Sequence, residues 1–527
     1  MVMTRTEISA DVIVLGGGTG GCIAALAAAK AGMRVVLTEE TDWLGGQLTS
    51  QAVPPDEHRW IESFGCTATY REFRERVRRF YRDHFPLTEE ASNNERLNPG
   101  NGWVSRLCHE PRAALHVLEG LLAPYIHSGR IEVLRGFRPD HAATEANEVQ
   151  WVSVRSVQED RVVLLRGAYF VDATECGDVL PLVGAEYVTG AEARSETSEP
   201  HAPDAADPQD MQAFTYVFAM DYIEGGDFTI EKPRRYDFWS RYVPPFSRYP
   251  LLSWHVQDLN KSEQTRTFSF FPDGKEPMPL WTYRRAIDSS LFDGLYEADI
   301  SLVNWPQNDY FLGSIIDVTP EERADRLEDA KQLSLSLLYW LQTEAPRPDG
   351  GRGYPGLRLR KDVVGTEDGL AKYPYIRESR RIKAVYTITE HDVSKELRQE
   401  RGIRTYEDSV GVGSYHLDLH HTTKTQRSYY IPSYPYEIPL GALLPVRMKN
   451  VLPACKNIGT TQIANGCYRL HPTEWNIGET VGYLAAYSVA NRVSPHRVRE
   501  EREHLQAFQR LIQREGIQIR WPEGMEL

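Results

Sequence analysis

Cysteine is scarce in this chain. Its 527 residues carry six, and no two of Cys22, Cys66, Cys108, Cys176, Cys455 and Cys467 form a C-x-x-C pair. That spacing argues against a redox-disulfide motif or a zinc ribbon. Positive charge is in deficit, with 60 Lys and Arg against 74 Asp and Glu and a net charge of −14. Such a balance speaks against nucleic acid or an anionic membrane surface as a partner. No apolar run reaches the length of a membrane span. The opening MVMTRTEISADVIV enters a strand pattern without a signal-peptide core, so a cytoplasmic location is expected. No internal repeat is visible.

What is present begins at Asp11. The run DVIVLGGGTGGCIAALAAAKAGMRVVLTEE reads as strand, glycine turn, helix, strand and acid, the order that grips an adenine dinucleotide. Gly16 permits the tight turn, Gly18 lets the backbone approach a diphosphate, and Gly21 lets the helix lie close to the strand. The helix N-terminus then offers free N–H groups to the anion. Glu39 ends the second strand, where a carboxylate accepts hydrogen bonds from a ribose diol and repels a 2′-phosphate. The same glycine spacing recurs at Gly351, Gly353 and Gly356, but no apolar strand precedes it and Pro355 interrupts it. That copy reads as a loop, which leaves one fingerprint and no dedicated nicotinamide domain.

Farther along, helices are expected over 68–85, 111–128, 320–343, 478–491 and 494–514. Alternating apolar and polar residues between 150 and 170 predict a half-buried antiparallel sheet. The Ser-, Pro- and Asp-rich stretch 195–210 reads as a mobile segment and domain border. The nucleotide unit stands at one end of the chain and another glycine-containing strand–loop–helix near 480. This order suits a dinucleotide domain assembled from both ends, with a substrate domain inserted.

Three separated blocks carry a family resemblance: DVIVLGGGTGGCIAALAAAKAGMRVVLTEETDWLGGQLT, YFVDATECGDVLPLVGAEYVTGAEAR, and EIPLGALLPVRMKNVLPACKNIGTTQIANGCYRLHPTEWNIGETVGYLAAYSVA. With them the chain resembles FAD-dependent oxidoreductases of the glutathione-reductase-type nucleotide fold, relatives of the fumarate-reductase-like flavoproteins. The resemblance implies an α/β fold, a Rossmann-type FAD-binding domain with an inserted mixed α+β substrate domain. The implied division is 1–200 and 437–492 for FAD, 211–436 for the substrate domain and 493–527 for a C-terminal helix.

The resemblance also implies contacts. Gly16, Gly18, Thr19, Gly20 and Gly21 would line the FAD diphosphate, and Glu39 and Glu40 the adenosine ribose. Gly45, Gly46 and Gln47 would pass along the ribityl and flavin side. Ala173, Thr174 and Asp178 sit in a stretch that returns to the cofactor. Asn476, Ile477, Gly478 and Gly482 would approach the isoalloxazine ring, with a helix beginning near Gly478 aiming its positive end at the flavin.

Three clusters could supply chemistry. Arg469 and His471 precede that helix, Arg469 as a clamp for an anionic substrate and His471 as a base. Each could instead merely hold the turn. In SYHLDLHH, His416, Asp418 and His420 alternate, so on a strand they share a face. They could form an acid–base cluster or a substrate contact, or remain a solvated face; no metal is expected, because a flavin hydride mechanism needs none. Arg377 and Arg381 suit carboxylate recognition or inter-domain ion pairs. Trp305 and Tyr310 could wall a substrate pocket or pack in a core. The expected reaction is oxidation of a small polar metabolite, a sugar-like alcohol or an amine, by hydride transfer to flavin N5. A reductase or monooxygenase driven by NAD(P)H and a non-catalytic FAD-containing assembly protein are the alternatives, and homo-oligomerisation is left open.

Overall fold

The structure is a computed structural model that describes residues 6–257, 265–272, 274 and 278–525. Its central sheet is parallel and five-stranded. The strand order is Val451–Pro453, Tyr169–Asp172, Val12–Leu15, Val35–Glu39 and Ile131–Arg135. Register aligns Leu15 with Thr38 and Asp172, and Asp172 with Pro453, so the carboxyl ends of these strands share one edge. Ligands of open α/β sheets bind at that edge. The strand Val12–Leu15 is wholly buried, which explains its unbroken apolar run.

Two helices cover one face. The turn helix Thr19–Lys30 has only Lys30 exposed, and the closing helix His471–Asn491 is buried along most of its length. They touch through glycine. A Cβ on Gly478 would stand 2.2 Å from the Gly20 carbonyl oxygen, and one on Gly482 would stand 2.3 Å from that of Ala24. The expectation of a helix starting near Gly478 is therefore corrected: it starts at His471, with Pro472 in its first turn, where proline fits without losing a bond. The glycines that suggested a beginning mark backbone-to-backbone packing instead.

On the other face lies a four-stranded sheet in the order Thr6–Ser9, Val162–Arg166, Glu148–Ser156, Phe137–Glu145. The last three pair antiparallel, as the alternation between 150 and 170 suggests. A further sheet, Arg285–Ile287, Ile300–Val303, Phe218–Tyr222 and Leu357–Leu359, belongs to the region 211–436. It shares a second hydrophobic core with the helix Pro320–Thr343. That helix opens with a capping box in which Thr319 accepts from the Glu322 N–H, matching its expected bounds. The expected C-terminal helix is divided into Pro495–Glu500 and Arg502–Arg514. Among the described residues no helix is long and apolar enough to cross a membrane.

The stretch 195–210 is tied down, contrary to the expectation of mobility. Glu199 is buried and accepts from the Thr461 hydroxyl at 2.6 Å and the Glu390 N–H at 2.7 Å. Asp210 is fully buried and accepts from the N–H groups of Lys424 and Thr425. Glu199 and Asp210 are consumed by backbone and hydroxyl donors, while Glu196 and Asp204 stay exposed.

Candidate functional site

The glycine turn lies at the carboxyl edge of the central sheet. Gly16 adopts φ +101°, and a Cβ there would come within 2.4 Å of the Ala173 carbonyl oxygen. A Cβ on Gly21 would come within 1.9 Å of the Gly16 carbonyl oxygen, so helix and turn are pressed together. A second loop is bound to the first: the Thr19 hydroxyl donates to Gly45 O at 2.9 Å, and the Gly45 N–H donates to Gly17 O at 2.7 Å.

A cavity runs between these loops. Gly16, Gly18, Gly46, Glu39 and Glu40 line it together with Ala173, Thr174 and Asp178, so most of the expected nucleotide residues come together there. Ser50, Gln51, Arg138, Glu175 and Tyr373 also line it and were not foreseen. Glu39 accepts from the Gly17 N–H at 2.9 Å and from the Thr41 N–H at 2.8 Å, and burial pushes its carboxyl up to about 7. Bare glycine backbone and a helix N-terminus, with Arg138 in the lining, fit the diphosphate of an adenine dinucleotide.

Next to the turn is a buried ion cluster. The Lys456 ammonium is 3.3 Å from Glu474 Oε2 and 3.4 Å from Cys455 Sγ, and it also donates to Glu175. The ligand atoms of Glu175, Cys455 and Glu474 lie within 4.8 Å of one another, but the lysine already bonded to all three supplies their positive charge. Glu474, in the first turn of the closing helix, also accepts from the Gly20 N–H at 3.2 Å. Gln47 donates to Glu474 and to Arg469 O, joining the second loop to the closing helix. Asn476 and Ile477 are fully buried on that helix, Asn476 packed against Gly411. Gly478 and Gly482 meet the backbone of the turn helix and Asn476 meets the strand Ser409–Gly413; the bare glycines bring the two helix backbones together.

A polar chain runs from the turn before the closing helix into the region 211–436. Arg469 donates to the Tyr375 hydroxyl at 2.8 Å and to Asp418 Oδ2 at 3.1 Å. Asp418 Oδ2 is 3.5 Å from His420 Nε2, and His420 Nδ1 is 2.5 Å from Asp309 Oδ2. Asp309 Oδ1 pairs with Arg377 at 2.9 Å and accepts from the Thr215 hydroxyl at 2.6 Å. Burial opposes ionisation of Asp309, yet Arg377 and His420 hold its carboxyl far below the usual range. Asp418 is likewise held low against its burial by His420 and Arg469. An Asp–His pair with a second carboxylate and two guanidinium groups can orient a polar ligand and move a proton at His420 Nε2.

His471 departs from its expected role. Its Nδ1 accepts the Asp56 N–H at 3.0 Å, so the proton of the neutral ring sits on Nε2. Burial, then the nearby Arg284, drives its pKa well below 6.5. A neutral ring with one nitrogen already engaged is a hydrogen-bond donor rather than a base. Nε2 is buried and has no partner among the described residues, as is Arg469 Nε.

Other expected residues fall outside this chain of contacts. His416 is exposed, with its ring centroid 4.6 Å from that of Tyr430; the strand Leu417–Leu419 ends before reaching it. Arg381 is fully buried and spends its donors on Glu378, Glu192, Gly190 O and Thr460 O, the structural alternative for that arginine. Trp305 and Tyr310 belong to the second hydrophobic core, and the Tyr310 hydroxyl donates to Asp329. Asp56, Arg284, Asp309 and Tyr375 were missed. Asp309 and Tyr375 had nearby signals, Asp309 in the polar segment NWPQNDY and Tyr375 two positions before Arg377 in KYPYIRESRRIKA.

No curated protein matches the chain. Among solved structures it is similar to the OxyS anhydrotetracycline hydroxylase from Streptomyces rimosus: 12% identity, 95% of this chain and 65% of that chain, TM-score 0.34. It is similar also to the E. coli quinol fumarate reductase subunit FrdA (9%, 97% and 74%, 0.34) and the L-proline dehydrogenase from P. horikoshii (14%, 36% and 25%, 0.18). The chain thus spans less than two thirds of the length of OxyS and of the proline dehydrogenase. The sequence profile described as FAD dependent oxidoreductase matches residues 11–512. With a Rossmann-type sheet, a glycine cradle that fits a dinucleotide diphosphate and that match, the chain belongs to the FAD dependent oxidoreductase family and is an enzyme whose cofactor is FAD.

Proposed function

We propose that this oxidoreductase oxidises a small polar metabolite, a sugar-like alcohol or an amine, at the polar chain that links Arg469 to Arg377. Bound FAD supplies the two-electron acceptor, and every other task falls to the chain's own residues. Asp309 holds the Nδ1–H of His420 and thereby turns Nε2 into the proton acceptor, with Asp418 positioned to stabilise the imidazolium. Arg469 and the His471 Nε2–H orient the substrate's polar group. The carrying observation is that both present buried donors without partners. An unmet buried donor costs about 1–3 kcal/mol, and a substrate oxygen or nitrogen offsets that cost.

In this reading Gly16, Gly18, Gly46, Ala173 and Thr174 hold the FAD diphosphate region, and Glu39 receives the ribose. The region 211–436 serves as the substrate domain between the two cofactor-binding parts, 1–200 and 437–492. Anaerobic stopped-flow absorbance of the FAD-loaded enzyme tests the proposal. Bleaching by members of a panel of polyols and amines is the expected result; bleaching by NADPH alone overturns it.

A further inference from the structure

Glu175 lies over the glycine cradle. It follows Thr174 in the loop after the strand Tyr169–Asp172. Its Oε1 is the nearest atom to a Cβ built on Gly18 and also to one built on Gly46, at 2.6 Å in both cases. Those glycines come from separate segments, so the carboxylate sits between the turn and the loop tied to it. Oε1 has no hydrogen-bond partner among the described residues, whereas Oε2 is bonded to Lys456. Lys456 is itself fully buried and shared with Glu474. Two carboxylates share one ammonium at the place where the fold offers N–H groups to an anion, and burial raises the Glu175 carboxyl against the pull of Lys456.

We propose that Glu175 is a built-in rival of the FAD diphosphate: both require the space above Gly18 and Gly46, so cofactor binding draws Glu175 back toward Lys456 and is weaker than the cradle alone allows. The Glu175 carboxylate and the diphosphate carry like charge and repel when they share that space, and the Lys456 ammonium offsets part of this. The rivalry concerns the diphosphate alone, which separates it from any general loosening of the fold. It also holds whatever substrate the enzyme oxidises, because it involves no residue of the Arg469–Arg377 chain.

The test is binding. FAD is titrated into the full-length chain stripped of flavin, followed by flavin fluorescence, and FAD release from the loaded enzyme is timed after dilution. ADP and adenosine serve as probes with and without the diphosphate. Glu175→Gln is expected to tighten FAD and ADP by about tenfold, to slow FAD release, and to leave adenosine unchanged. Glu175→Asp withdraws the charge by one methylene and is expected to tighten both less; it carries the test if the glutamine variant does not fold. Equal or weaker binding of FAD and ADP by the variants, or an equal gain for adenosine, overturns the proposal.

Discussion

His420 Nδ1 lies 2.5 Å from Asp309 Oδ2, although 111 positions separate the two residues. The contact places a proton on His420 Nδ1 and leaves Nε2 facing Asp418 Oδ2 at 3.5 Å. It makes Asp309 the positioning residue of the proposed base.

Asp309→Asn removes the charge that holds the ring and leaves Arg377 without its carboxylate. Substrate-driven flavin reduction is expected to slow by about 10²–10⁴-fold. The flavin-to-protein absorbance ratio should stay at the wild-type value. Rapid-mixing kinetics with a substrate from the panel checks the first expectation and a spectrum of the purified variant checks the second.

Arg469 is 2% exposed and pairs with Asp418. Arg469→Met removes one of the two cations beside the part-buried Asp418 and leaves only His420 there, a loss of about 1–3 kcal/mol, seen as a lowered denaturation midpoint. Arg469→Lys keeps the charge but lacks the planar fork. We expect it to fold and to show a raised KM with a smaller change in kcat, measured by steady-state assays.

Gly482→Ala tests the helix contact. Its Cβ would stand 2.3 Å from the Ala24 carbonyl oxygen, and neither backbone can move without shifting its helix. The expected loss is about 1–3 kcal/mol, accompanied by weaker FAD retention because the turn helix carries the diphosphate glycines. Thermal melts with and without added FAD check both effects.

Glu199 gives a pH-dependent prediction. Burial pushes its carboxyl from 4.5 up to about 7. Its contribution to stability is fully present below pH 4.5 and is lost as pH rises through 7. Glu199→Gln, which mimics the protonated acid, should flatten this decline and raise stability at pH 8 by up to about 3 kcal/mol. Urea midpoints of both proteins between pH 5 and 8 provide the measurement.

Much of the nucleotide half was readable because its signals are local. The turn Gly16–Gly21, the strand ending at Glu39 and the loop at Gly45 and Gly46 lie within a short stretch, where strand, turn and helix patterns succeed one another. The polar chain was legible only in pieces. Arg469, Asp418, His420 and Arg377 could be named from their types, but the partner that orients His420 comes from a distant strand-to-helix connection. Periodicity within one segment cannot reveal a pairing made by tertiary packing. The same limit hid Asp56, whose backbone N–H decides the tautomer of His471. Gly478 was misread for a related reason: a glycine pressed on another helix and a glycine near a helix end look alike in one dimension.

The strand Val451–Pro453 and the closing helix complete a sheet and a helix pair begun at Val12 and Thr19. During synthesis the alanine-rich turn helix emerges long before the segment that covers it. The nascent chain therefore carries an uncovered apolar face through translation of the whole intervening region.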